Sequence, residues 1–247
     1  MKGTMLMKKT IREEGFTLVE LLVVIAIIAL LASALFPAIN GAMNQARATA
    51  LKNKGRGVWT AVLSANMERE PLNLDSVWPA DLMGDEAADE SKISGNTADA
   101  YFSYLLSAGE STSDTTIEGD ADSRVVSDLT PESITAQGIP AAAIGSSVEP
   151  KNCAWHVLGV NNSTPGEMPF MITKNVDISG SIQQVQDDKT TKLASFKADT
   201  DPFRAARAVW VTRGGSVADA RPKFFTKYTV LGEGTNEVDV FTCEKGN

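Results

Sequence analysis

One carboxylate in this chain sits where a carboxylate is hard to accommodate. Residues 16–36 read FTLVELLVVIAIIALLASALF, and only Thr17, Glu20 and Ser33 among them are not apolar. As a helix, 21 residues span about 31 Å, the hydrocarbon thickness of a bilayer. A carboxylate near the centre of such a helix costs about 2.5–3.5 kcal/mol, and less near its edge. The chemistry that compensates for this is an ion pair. Cleavage between Gly15 and Phe16 would supply the cation, because a new α-amino group on Phe16 is largely protonated at neutral pH. Residues 16 and 20 are i and i+4, neighbours on one helix face. The same ammonium could equally meet Glu20 of an adjacent copy.

The other residues that could do chemistry are few. His156 is the only histidine, and it lies in strand-like sequence between Trp155 and Val157; a satisfied structural histidine is the simpler reading. Cys153 and Cys243 are the only cysteines. Zinc with four Cys/His ligands would need all three of these residues plus a carboxylate. Glu118, Asp120 and Asp122 alternate like the start of a calcium loop. However, the sixth position from Asp120 is Val125 and the twelfth is Pro131, where a glycine and a glutamate are required. No metal ligand set is assigned and no cofactor is expected, with calcium kept as the one ion to test. The chain has no P-loop, dinucleotide fingerprint, nucleophile elbow or HExxH helix. No catalytic residue is assigned and the expectation is a non-enzyme.

Three readings of the N-terminus follow from composition. A secretory signal would use Met1–Glu14 as its basic region and Ala32-Ser33-Ala34 as its cleavage pattern. A plain anchor would stay uncut. In the third, a leader is cut before the apolar run and the run stays with the mature protein; only this one gives Glu20 a partner. The run Gly15-Phe16-Thr17-Leu18-Val19-Glu20-Leu21-Leu22-Val23-Val24-Ile25-Ala26-Ile27-Ile28 resembles the N-terminus of the type IV pilin and type II secretion pseudopilin family. The similarity covers about residues 8–60. It implies cleavage after Gly15 by a prepilin peptidase and N-methylation of Phe16. It also implies a role for Glu20 in assembly and a helix bend at Pro37, a residue that composition alone would equally read as a helix stop. Retention of Glu20 sets the chain apart from the tip-type pseudopilin that lacks it.

The resemblance further implies a homo- or hetero-oligomer with other pilin-like subunits, built on an inner-membrane assembly platform. The subunit would cross the inner membrane once before assembly, with its bulk in the periplasm or outside. After assembly it would form a filament or reach the cell surface. The alternative is a secreted or membrane-anchored envelope binding protein or enzyme, whose mature chain would start at Leu35. Basic residues flank the apolar run on both sides, so charge alone does not orient it.

The elements that must carry these residues are an α+β set. A long helix over 17–68 is expected, transmembrane in its first half and amphipathic in its second. Ile39, Met43, Ala46 and Ala50 form one stripe at helical spacing, and Leu51, Val58, Val62 and Ala65 another. Gly55 and Gly57 conflict with that helix, each costing about 1 kcal/mol relative to alanine. Small residues at 26, 29 and 32–34 would let such helices pack closely.

The organisation expected is a leader 1–15, a membrane and assembly helix 16–37, an amphipathic half 38–70, an acidic loop-rich part 71–152 and a sheet part 153–247. The long helix packs on an antiparallel sheet head, the pilin-like lollipop that the resemblance implies. Tyr101–Leu106 reads as a short helix. Strands are expected at 154–160, 169–173, 207–212, 223–232 and 237–243. Residues 81–122 hold eleven acids and one base, Lys92. This surface is either simply solvated or pairs with the basic stretch Arg47–Arg56 of a neighbour. The chain holds 23 basic against 31 acidic residues, net −8, the wrong sign for a general nucleic-acid binder. If the sheet part lies outside the cytoplasm, a Cys153–Cys243 disulfide is chemically permitted; the alternative is two free buried thiols.

Overall fold

The structure is a computed structural model that describes residues 16–83, 93, 95–107, 125–143, 147–186 and 189–243. The leader, and with it Gly15, lies outside the described residues, as do Glu118, Asp120 and Asp122 and most of the acidic 81–122 window. The chain divides into two compact units, Met1–Gln45 and Ala46–Asn247.

Helix α1 runs from Leu18 to Arg69 without interruption. Its residues 18–43 are exposed all round, which suits a helix whose solvent is lipid or other helices. Pro37 lies inside it. The proline therefore does not stop the helix, although it removes the N–H that would bond to the carbonyl of Ser33. From residue 46 onward one face is buried: Ala48, Leu51, Gly55, Val58, Ala61, Val62 and Ala65. The Leu51, Val58, Val62, Ala65 stripe is thus the packing face. The other expected stripe is not; Ile39, Met43, Ala46 and Ala50 are all exposed, because the face that meets the sheet begins only at Ala48.

After α1 the chain makes a single 3-10 turn at Glu70–Leu72 and reverses through Asn73 in the left-handed region (φ 53°). Buried Asn66 fixes this reversal. Its Oδ1 accepts from Ser76 Oγ and from the Val77 amide at 2.8 Å, while its Nδ2 donates to the Val62 carbonyl. Two short helices follow, α2 (Pro79–Leu82) and α3 (Ala98–Leu106). Thr97 caps α3 by accepting from the Ala100 amide, and Tyr101, Phe102 and Leu105 are buried. Trp78 and Tyr101 both meet Phe170 edge-on, at 5.4 and 6.4 Å between ring centroids. The Tyr101 hydroxyl donates to the Val77 carbonyl.

The sheet is built from β1 (Trp155–Leu158), β2 (Pro169–Thr173), β4 (Gly180–Gln183), β6 (Ala208–Thr212), β7 (Val217–Ala220) and β8 (Glu237–Phe241). The order is β4-β8-β1-β2-β6-β7 and every pairing is antiparallel. A two-stranded ladder pairs β3 (Val176–Asp177) with β5 (Ser195–Phe196). The long helix followed by this antiparallel sheet is the expected α+β arrangement.

One expected strand is wrong. Residues 223–232, KFFTKYTVLG, form a 3-10 turn at Pro222–Phe224 and then helix α4 (Lys227–Leu231). The β-branched and aromatic composition suggested a strand. Local capping decided otherwise: Thr226 Oγ1 accepts from the Thr229 amide, and Gly232 at φ 75° ends the helix. Phe225, Val230 and Leu231 turn inward. The strands β3, β4, β5 and β7 were not foreseen. Each has two to four residues, too few to show a clear alternating pattern.

Gly55 resolves one of the two helix conflicts. A Cβ built there would lie 2.7 Å from Val211 Cγ2 and 3.0 Å from Trp155 Cη2. Glycine lets α1 cross β1 and β6 at close range. Gly57 faces open space, with nothing within 4 Å of a built Cβ. Three side chains on the same stretch of α1 tie it down further. Trp59 Nε1 donates to the Arg213 carbonyl at 2.8 Å, and Lys54 Nζ donates to the carbonyl and hydroxyl oxygens of Thr135. Lys52 and Arg207 both pair with the largely buried carboxylate of Asp219 on β7.

Candidate assembly and processing site

The start of α1 is organised by two side chains. The Glu20 carboxylate, through Oε2, accepts from the Thr17 amide at 2.9 Å and from the Thr17 hydroxyl at 2.7 Å. Thr17 Oγ1 in turn accepts from the Glu20 amide at 3.3 Å. This reciprocal pair is a capping box, which satisfies orphan donors of the first helical turn. Negative charge at a helix N-terminus also meets the positive end of the helix dipole. Glu20 therefore has two compensations within its own chain before any cation is supplied.

Thr17 is a candidate site residue that the resemblance does not single out. The signal was present as Thr17-Leu18-Val19-Glu20, the S/T-x-x-E pattern ahead of an apolar run. The capping box would survive a cut after Gly15, because Thr17 keeps its amide when Phe16 becomes the terminus. Glu20 Oε1 has no hydrogen-bond partner among the described residues. One carboxylate oxygen thus holds the helix start, and the other is open to a cation.

Around this pair the surface is apolar. Phe16 is 80% exposed, and Leu18, Leu22, Ile25, Ile28, Leu31, Leu35 and Phe36 are exposed as well. The 55-residue helical stretch Leu18–Leu72 is long and apolar enough to cross a membrane. Ser33 Oγ donates to the Leu30 carbonyl at 2.8 Å, so the one other hydroxyl of the run is satisfied within its own turn. The Ala32-Ser33-Ala34 pattern lies inside continuous helix.

The basic stretch after the apolar run is partly consumed within the chain. Lys52 and Lys54 are held by Asp219 and Thr135, and Arg56 is exposed. Of the stretch Arg47–Arg56, half-buried Arg47 and exposed Arg56 remain for any pairing with an acidic neighbour.

The sequence-selected residues of the sheet unit form a separate, buried group. His156 Nε2 lies 3.1 Å from both the Lys174 and Val176 carbonyls, and its Nδ1 accepts from the Cys243 amide at 3.4 Å. Both ring nitrogens are thus engaged by backbone groups, as a satisfied structural histidine would be. Cys153 and Cys243 are thiols here, both fully buried. Among the described residues no group of three or more His, Cys, Asp or Glu side chains could hold a metal ion.

Comparison with known proteins points to the N-terminus. Residues 11–36 match the prokaryotic N-terminal methylation motif. No curated protein and no solved structure matches the chain. The matched segment contains Gly15, Phe16, the Thr17–Glu20 box and the exposed apolar face. At its N-terminus, the chain carries the signature of the type IV pilins and pseudopilins.

Proposed function

We propose that this chain is a pilin-like structural subunit, made as a precursor, cut after Gly15 by a prepilin peptidase and N-methylated at Phe16. It then assembles through α1 into a type II secretion pseudopilus or a type IV pilus-like filament. Before assembly α1 crosses the inner membrane once, and the sheet unit lies in the periplasm or outside. The observation that carries this reading is a methylation motif in which Glu20, the one acid of the 16–36 apolar run, forms a capping box with Thr17 at the start of an exposed apolar helix. A charge costing a few kcal/mol in hydrocarbon gains a reason to be kept if the new ammonium of Phe16, of the same or an adjacent copy, pairs with it. Charge-assisted pairing of that kind is about twice as strong as a neutral hydrogen bond.

The mature N-terminus tests this. Mass spectrometry of the membrane-extracted protein is expected to find N-methyl-Phe16 as the first residue. A mature start at Leu35 would overturn the reading in favour of a secreted envelope protein, and an intact Met1 in favour of a plain anchor. Glu20→Leu is expected to be cut but not incorporated into filaments.

A further inference from the structure

The two cysteines lie about ninety residues apart and converge on one atom. Cys153 immediately precedes β1 and Cys243 follows β8, and these strands are hydrogen-bonded neighbours with Val157 opposite Phe241 and Leu158 opposite Val240. The same register carried outward sets Trp155 opposite Cys243. Side chains alternate along a strand, so Cys153 and Cys243 share a sheet face as diagonal neighbours. Cys153 Sγ lies 3.2 Å from the Trp155 carbonyl oxygen, and Cys243 Sγ donates to that same oxygen. No other cysteine exists in the chain to compete for either.

We propose that Cys153 and Cys243 form an intrachain disulfide that fastens β8, the last strand, onto β1, and that it is made outside the cytoplasm while the sheet unit folds. The reading rests on the export of the sheet unit proposed above, since oxidising compartments are where such bonds persist. Timing follows from burial. Both thiols are fully buried, and burial together with the adjacent Cys153 sulfur pushes the Cys243 thiol well above its ordinary value. Buried thiols are out of reach of an oxidant in solution, so oxidation must precede the docking of β8.

The chemistry is thiol–disulfide exchange with a disulfide-bearing oxidoreductase or a small disulfide such as oxidised glutathione. One cysteine thiolate attacks a donor sulfur, the donor S–S bond breaks, and one donor thiolate leaves. The second cysteine thiolate attacks the resulting mixed disulfide at the chain's sulfur. The Cys153–Cys243 bond forms and the second donor thiolate leaves. The chain loses two electrons and two protons, and the donor disulfide is reduced to a dithiol.

The test uses the full-length chain purified from its membrane. Free thiols are trapped with an alkylating reagent in denaturant, with and without prior reduction, and the protein is weighed. The expected result is no alkyl adduct without reduction and two after it. In parallel, a membrane-impermeant lysine reagent applied to intact spheroplasts reports where the sheet unit lies. Two adducts without reduction, on a sheet unit that the impermeant reagent labels, overturn the disulfide and leave the proposed function standing. A sheet unit that is shielded from the reagent overturns the export reading and this inference with it. Refolding of the reduced, denatured full chain in detergent with oxidised glutathione tests the geometry independently of location. The expected product is the intrachain bond, lost in Cys153→Ser and in Cys243→Ser, and a glutathione adduct on each cysteine instead would overturn it. Reduction of the bonded form is expected to lower Tm by roughly 10 °C.

Discussion

Gly55 and Gly57 are two residues apart on one helix, yet alanine should act on them in opposite directions. Both are interior to α1, where glycine is less favourable than alanine by about 0.8–1.0 kcal/mol. At Gly57 nothing lies within 4 Å of the added Cβ, so Gly57→Ala should raise stability by about that amount. At Gly55 the same gain meets Val211 Cγ2 at 2.7 Å and the Trp155 ring at 3.0 Å. Neither neighbour can yield easily: both residues are fully buried, and each belongs to a central strand of the sheet. Overpacking of a filled site costs about 1–3 kcal/mol, so Gly55→Ala should lower stability by up to about 2 kcal/mol net. For a unit of this size each kcal/mol moves Tm by about 2–4 °C. The two variants should therefore differ by about 2–12 °C in thermal unfolding of the detergent-solubilised chain, followed by tryptophan fluorescence. Equal shifts, or a more stable Gly55→Ala, would refute the close crossing of α1 over β1 and β6.

Three further outcomes follow from the geometry. Asp219→Ala strands Lys52 and Arg207 beside a largely buried gap and should lower stability by about 3 kcal/mol, read as a drop in the urea midpoint. Asp81 is raised above its ordinary value, first by burial, against a lowering hydrogen bond from Ser76, and further by the nearby charge of Asp75. Its raised folded-state pKa means that the folded chain favours the protonated form, so its contribution is lost as pH rises from the ordinary value of 3.8 through the folded one. Asp81→Asn should then stabilise the chain at pH 7 and leave it little changed at pH 3. Thr17→Val removes the hydroxyl that bonds Glu20, whereas Thr17→Ser keeps one. The first should weaken the helix start by about 1 kcal/mol and lower the fraction of Phe16-methylated chain recovered in filaments. The second should restore that fraction.

Particular residues show how far the sequence reached. Hydrophobic periodicity placed α1 within one residue at each end, because a 52-residue pattern averages out local noise. Val–aromatic runs located β1, β2, β6 and β8, since each is a half- or fully buried strand with turn residues beside it. The same composition misled at Lys227–Leu231, where a threonine cap and a closing glycine outweigh β propensity. It was silent on β4, whose Gly-Ser-Ile-Gln is held by pairing to β8 rather than by its own preferences.

The sequence by itself determined the N-terminal motif. Gly15, Phe16, Thr17 and Glu20 were legible because they lie within six consecutive residues, and short spacing is local information. The tertiary structure alone decided what the sheet unit does with its distant parts. It set Gly55 against Trp155, bound Lys52 and Lys54 within their own chain, and brought Cys153 and Cys243 to one carbonyl. Those contacts join residues from 81 to 167 positions apart. Their geometry depends on strand order and register, which arise from packing the whole core at once and not from any one stretch of residues.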